Sequence, residues 1–163
     1  MPPASLSSIL AIEAAGEAAP GEGAMLMHPN AQRIADAYDA FSRGDLQSVL
    51  DTWTDDIVWH VRGSIEAVAG DKRGKIEITE FLGELMRATD GTFALEVDRV
   101  FADDECAVVI ARQKGMAAGE SIDSLVTHVY SLRDGKVCEG SFLVERELEV
   151  DPLLAKAFTR AAA

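Results

Sequence analysis

Near residue 90 the hydrophobic pattern of this chain changes its period, and that change constrains the fold more than any other feature. Before it, apolar residues recur at the spacing of about 3.6 residues that marks one face of a helix. Ile34, Tyr38 and Phe41 form one such face, Leu46, Val49, Leu50 and Trp53 a second, and Ile78, Phe81, Leu82 and Leu85 a third. After it, the spacing falls to about two, the strand period, in runs near 92–101, 106–115, 121–132 and 136–148. Asp103-Asp104-Glu105, Ala118-Gly119-Glu120 and Asp134-Gly135 separate these runs, which predicts an antiparallel meander.

Punctuation residues bound the helices. Asn30 is a good N-cap for the first, Gly44 stops it, and Asp45 caps the second. Thr54-Asp55-Asp56 reads as a turn, Ile57 to Val61 as a short strand, and the stretch to Gly74 as a loop. Asp151-Pro152 reads as the opening of a last helix, with Asp as cap and Pro at its first position. The predicted order is α-α-β-α-β-β-β-β-α. Helices kept apart from an antiparallel sheet define the α+β class.

Residues 1–27 are rich in Ala, Pro, Gly and Glu and hold no Lys or Arg; the first is Arg33. They match neither a secretory signal nor an arginine-rich presequence. We expect a flexible extension over 1–27, with Met25 or Met27 as alternative starts, and one domain over 28–163. With 28 acidic against 15 basic residues the net charge is −13, which repels phosphate backbones and argues against nucleic acid as a partner. No apolar run approaches the roughly 20 residues of a membrane helix, so no membrane partner is expected. Cys106 and Cys138 lack a CxxC spacing and read as reduced thiols of a cytoplasmic protein.

Alternation sorts the strand residues by face. On 121–132, Ile122, Val126, Tyr130 and Leu132 share the inner face, and His128 sits among them. On the last strand Cys138, Gly140, Phe142 and Val144 read inward, and on 92–101 Phe93, Leu95, Val97 and Phe101 do. The 106–115 run is apolar on both faces; if Cys106, Val108 and Ile110 point inward, Arg112 joins them. A curved sheet under three amphipathic helices encloses a cavity for a small, mostly apolar molecule.

His128 is the leading chemical candidate. An apolar wall disfavours imidazolium, and a neutral imidazole can exchange a proton or hydrogen-bond a carbonyl. A packed core histidine is the alternative. Tyr38 can aim its hydroxyl at the same space, or simply pack. Trp59, Val61, Val126 and Phe142 read as cavity walls, and Arg112 as a partner for an anionic ligand or for surface acids. His60 is carried as a binding candidate, although it alternates away from the cavity if Trp59 and Val61 face it. Zinc would need His60, His128 and a carboxylate to converge, and no spacing such as HExxH supports that. No metal or organic cofactor is expected.

Four stretches carry a family likeness. They are Arg43-Gly44-Asp45-Leu46 running to Thr54-Asp55-Asp56-Ile57-Val58-Trp59, Arg73-Gly74-Lys75 with Phe81, Val100-Phe101-Ala102-Asp103-Asp104, and His128-Val129-Tyr130-Ser131-Leu132-Arg133-Asp134-Gly135-Lys136-Val137. In order and spacing the chain resembles, over about residues 30–158, the SnoaL-like polyketide cyclase and ketosteroid isomerase-related proteins of the nuclear-transport-factor-2-like superfamily. The resemblance implies a cone: a curved, cystatin-like antiparallel sheet wrapped around three helices, plus a short C-terminal helix. It also implies a homodimer through the sheet, and an isomerase, cyclase or dehydratase acting on a hydrophobic carbonyl or polyketide-like compound. A non-catalytic binding or dimerisation module of the same fold is the alternative. The catalytic residues of the relatives transfer poorly. The isomerase base falls at Val61, the oxyanion tyrosine at Ala37 beside Tyr38, and the second oxyanion donor at His128. The last Asp of the epoxide-hydrolase relatives falls near Phe142.

Overall fold

The structure, a computed structural model, describes residues 27–63, 69–145 and 147–161. Residues 1–26 of the expected extension, with its alternative start at Met25, lie outside them. Helix α1 spans Pro29–Ser42, α2 Leu46–Asp51, α3 Gly74–Ala88 and α4 Glu147–Ala161. The strands are β1 Trp53–Val61, β2 Gly70–Arg73, β3 Ala94–Ala102, β4 Cys106–Ala117, β5 Glu120–Arg133 and β6 Lys136–Val144. They form one sheet in the order β2-β1-β6-β5-β4-β3, with β1 parallel to β6 and every other pair antiparallel. No described helix is long and apolar enough to cross a membrane.

Local chemistry sets the element ends. Helix α1 starts one residue before the expected cap, because Pro29 is preorganised for a first helical position. His28 is the N-cap, its Nδ1 accepting from the Asn30 amide at 3.2 Å. Asn30 is instead buried in the first turn, donating to the Asp103 carbonyl at 2.9 Å and accepting from Arg33 at 3.0 Å. That clamp ties α1 to the β3–β4 turn. Gly44, at φ +73°, ends the helix, and the Asp45 carboxylate accepts from the Ser48 amide at 3.2 Å to open α2. Asp134-Gly135, both at positive φ, form the tight β5–β6 turn that the meander requires.

The structure corrects several boundaries. Thr54-Asp55-Asp56 is not a turn but part of β1, where an irregularity between Trp53 and Val58 absorbs the register shift. Its acids are exposed and paired, Asp55 with Lys75 at 2.9 Å and Asp56 with Arg133. The loop before Gly74 contains β2, which pairs Val61 with Gly70 and Val58 with Arg73. Asp151-Pro152 does not open the last helix; β6 ends at Val144 and α4 already runs from Glu147, so Pro152 lies inside it.

Two bulges reverse expected faces. An irregularity between Val97 and Arg99 leaves Val97 on the inner face opposite Ala111, turns Phe101 outward and packs Val100 and Ala102 on the core. Another between Ser131 and Leu132 buries Val137 in place of Cys138, whose half-buried thiol donates to the Ser131 carbonyl. On β4 the inward set is Ala107, Val109, Ala111 and Gln113, so Cys106, Val108, Ile110 and Arg112 point outward. The core below α1 to α3 centres on Ile57, Ile78 and Val109, with no exposed surface.

Candidate ligand cavity

Between the helices and the concave sheet face lies a cavity of about 180 Å³, lined mainly by aromatic and aliphatic side chains. A dry protein cavity of roughly 150 Å³ accepts benzene, so this one has room for one or two fused rings. Tyr38 reaches it from α1, Phe81 from α3 and Leu154 from α4. Trp59 and Val61 reach it from β1, Val126, His128 and Tyr130 from β5, and Phe142 from β6. The inward alternation of β5 and the 3.6-residue face of α1 produce this convergence directly.

Its polar centre is a three-residue cluster. The Tyr38 hydroxyl makes a short hydrogen bond with His128 Nδ1 and lies 2.8 Å from the Tyr130 hydroxyl, which is 3.2 Å from the same Nδ1. Burial pushes His128 down to about 3, so the imidazole is neutral at physiological pH. Burial, with Tyr130 alongside, holds the Tyr38 phenol well above its ordinary value. Burial also raises Tyr130, against the opposing effect of the Tyr38 hydrogen bond. Both phenols therefore keep their protons.

Proton bookkeeping then selects the tautomer. If Tyr130 donates to Tyr38 and Tyr38 donates to Nδ1, every hydroxyl proton has an acceptor. If Nδ1 carried the proton and donated to Tyr38, one of the two phenol protons would be left without an acceptor in the cluster. Such an orphan costs about 1–3 kcal/mol. We therefore assign the His128 proton to Nε2, which makes no hydrogen bond among the described residues. Phe142 braces the ring edge-on, its centroid 4.8 Å from that of His128.

Two binding candidates lie elsewhere. His60 is on the outer sheet face, where alternation from Trp59 and Val61 sends it. There Nδ1 is 2.7 Å from Asp71 and Nε2 2.6 Å from Glu139. The hydrogen bonds to Asp71 and Glu139 raise its pKa, the reverse of His128. Arg112, also outward, pairs with Asp123 instead of facing a ligand. His60 and His128 therefore occupy opposite faces of the sheet, and no cluster of metal-ligand type occurs among the described residues.

Three features were not read from the sequence as functional. The Tyr130 hydroxyl completes the cluster, and its position two residues from His128 on one strand face was the available signal. Trp59 Nε1 is buried and has no hydrogen-bond partner among the described residues, which no sequence pattern encodes. Asp151 on α4 is 6% exposed and is the one carboxylate among the described residues lining the cavity. Gly63, at φ +144°, lies against it, and a Cβ there would come within 2.8 Å of Asp151 Oδ2.

A curved sheet closed by helices over an apolar cavity with a polar centre defines a cone-shaped α+β fold. Residues 34–140 match the SnoaL-like domain, and the chain belongs to that family, within the nuclear-transport-factor-2-like superfamily. Three uncharacterised mycobacterial proteins, one from Mycobacterium bovis and two from strains of Mycobacterium tuberculosis, are 26% identical to it over 122 residues. That stretch is 74% of this chain and 88% of theirs. Among solved structures, Bal32a from a soil-derived mobile gene cassette superposes with a TM-score of 0.72 at 25% identity, covering 77% of this chain and 95% of Bal32a. An NTF2-like protein of unknown function from Burkholderia pseudomallei shares the fold, with a TM-score of 0.67 at 24% identity over 78% of this chain and 98% of its own.

Proposed function

We propose that this chain is a cofactor-independent enzyme of the isomerase, cyclase or dehydratase type, acting on a small hydrophobic carbonyl compound held in the cavity. One observation carries the reading: a neutral imidazole whose Nδ1 is occupied by Tyr38 inside an apolar enclosure, which leaves Nε2–H as a fixed donor. A carbonyl oxygen accepting from Nε2–H gains negative charge as an α-proton leaves, and the donor stabilises that charge without reorganising. Asp151 supplies the base: its carboxylate takes the α-proton and returns it to the enolate at the original or a conjugated carbon. Tyr38 and Tyr130 act as positioning residues that hold the imidazole in one tautomer.

The alternative of a non-catalytic binding module has one specific observation in its favour. Among the described residues no strand directs a carboxylate into the cavity, and Asp151 comes from the last helix alone. Deuterium exchange α to the carbonyl in D2O, followed by NMR on a panel of one- and two-ring ketones led by 1-tetralone, separates the two. Catalysed exchange is expected; tight binding with no exchange for any ketone would leave the binding module.

The active domain spans residues 28–163 and works in the cytoplasm, where Cys106 and Cys138 stay reduced as the free thiols they are. It pairs through the outer sheet face. Phe101 and Leu143 are 54% and 56% exposed there, and Leu125 adds to the same face. Exposed apolar side chains rimmed by ion pairs such as Arg112–Asp123 and Lys114–Glu96 are what a sheet-to-sheet contact buries. Sedimentation velocity is expected to give a dimer that Leu143→Glu converts to monomer; a monomeric wild-type protein at tens of micromolar would contradict this.

A further inference from the structure

Strand β4 puts one polar side chain on its inner face. Alternation sets Gln113 in line with Ala107, Val109 and Ala111, and it lines the cavity beside Leu95, its partner on β3. Gln113 is 7% exposed, and its carboxamide is only half used. Nε2 donates at 2.9 Å to Ser124 Oγ, a buried hydroxyl on β5 that is not part of the cavity wall. Oε1 has no hydrogen-bond partner among the described residues. It is nevertheless not sealed in, because the fully buried side-chain atoms without a partner there are Thr54 Oγ1 and Trp59 Nε1. With the nitrogen tied to the strand behind, the carbonyl oxygen is the part of Gln113 left to the cavity. An unfilled acceptor in an apolar wall is a cost that leucine at this position would avoid.

The strand register places this oxygen relative to His128. Val109 pairs with His128, Ala111 with Val126 and Gln113 with Ser124. The carboxamide and the imidazole therefore stand on one wall, four residues or about 13 Å apart along the strands. Val126 lies between them as apolar floor. A hydrogen bond of about 2.8 Å at each end leaves roughly 7 Å between the two polar atoms of a molecule that reaches both. Opposite substituents on two fused rings span that gap, and a cavity of about 180 Å³ holds such a skeleton. The two ends differ in polarity: His128 Nε2–H donates, and Gln113 Oε1 accepts.

We propose that Gln113 Oε1 is the second polar anchor of the cavity, and that the site selects hydroxylated aryl ketones, with the ketone oxygen at one end and a phenol hydroxyl at the other. The inference rests on the cavity being the ligand site, as proposed above, but not on catalysis. His128 donates to the ketone oxygen and Gln113 accepts from the hydroxyl, so the pair fixes which way round the rings lie. A ketone without the hydroxyl leaves Oε1 unpaired in the complex. Ser124 is a positioning residue: it holds the carboxamide by its nitrogen and keeps the oxygen turned to the cavity.

The test uses 1-tetralone and 6-hydroxy-1-tetralone, whose hydroxyl lies across the rings from the carbonyl, with the full chain. In the wild type the hydroxyl should tighten binding about tenfold, and in Gln113→Leu by no more than about twofold. In 1H–15N spectra the side-chain amide pair of Gln113, distinguished from those of Gln32 and Gln47 by assignment through the backbone, should move with 6-hydroxy-1-tetralone and much less with 1-tetralone. Equal affinity for the two ketones, or a preference for the hydroxyl that survives Gln113→Leu, would overturn this inference while sparing the cavity reading. Failure of both ketones to bind at millimolar concentration would overturn both. The spectra of the unmutated protein decide the matter even if the variant does not fold, since a Gln113 amide pair left in place by bound 6-hydroxy-1-tetralone also overturns the inference.

Discussion

Acidification from pH 6.5 to pH 4 is expected to remove about 3 kcal/mol more stability from the wild-type protein than from His128→Gln. In the unfolded chain the imidazole takes up a proton near pH 6.5, as an ordinary histidine does. In the folded protein burial holds it neutral down to about pH 3. Between those values the unfolded state binds one more proton than the native state. Stability therefore falls as pH falls, by about 1.4 kcal/mol per unit, and the loss ends near the folded value. His60 does not imitate this. Its partners raise its folded pKa, so its contribution is complete below about pH 6.5 and fades only as pH rises through the raised value. The surface acids with lowered values, such as Asp56 and Asp123, are common to both proteins and cancel in the difference. Urea denaturation at a series of pH values gives the two slopes. Parallel curves for wild type and variant would contradict a neutral buried His128.

The second large effect concerns turnover. In the α-exchange assay, His128→Ala should lower the rate by about 10²–10³, the usual loss when one oxyanion donor is removed. Asp151→Asn should lower it by about 10²–10⁴, the range for a general base. Neither change should weaken ketone binding by more than about threefold, because most of the binding area is the apolar wall. Tyr38→Phe separates positioning from chemistry. The imidazole survives, but Nδ1 loses its nearest donor and the Tyr130 proton must turn to Nδ1 itself, 3.2 Å away. A loss of about tenfold is expected, with the His128 proton still on Nε2. Full activity in His128→Ala would remove the imidazole from the mechanism, and full activity in Asp151→Asn would remove the base.

The core of this site was legible in the sequence because β5 alternates without interruption. Val126, His128 and Tyr130 reach one wall through a period that needs no tertiary information, and Tyr38 arrives by helical spacing. Legibility failed where the backbone breaks its own period. The bulges in β3 and between β5 and β6 each shift alternation by one, which put Phe101 and Cys138 on the wrong face. On β4 both faces are apolar, so only the packing of the helices decides that Ala107, Val109 and Ala111 turn inward and Arg112 outward. Strand β2 is four mostly polar residues with no apolar alternation, and it exists because β1 offers it an edge. Asp151 was misread for a local reason. Before Pro152 an aspartate resembles a helix cap, but α4 starts upstream and makes it a buried helical residue instead.

One hydrogen atom carries the whole account: the proton on His128 Nε2. Long-range 1H–15N correlation spectra of the imidazole report directly which nitrogen is protonated and over what pH range. The expected spectrum shows an unprotonated Nδ1 and a protonated Nε2, unchanged from pH 8 to pH 5. A proton on Nδ1, or a titration near pH 6.5, would contradict it.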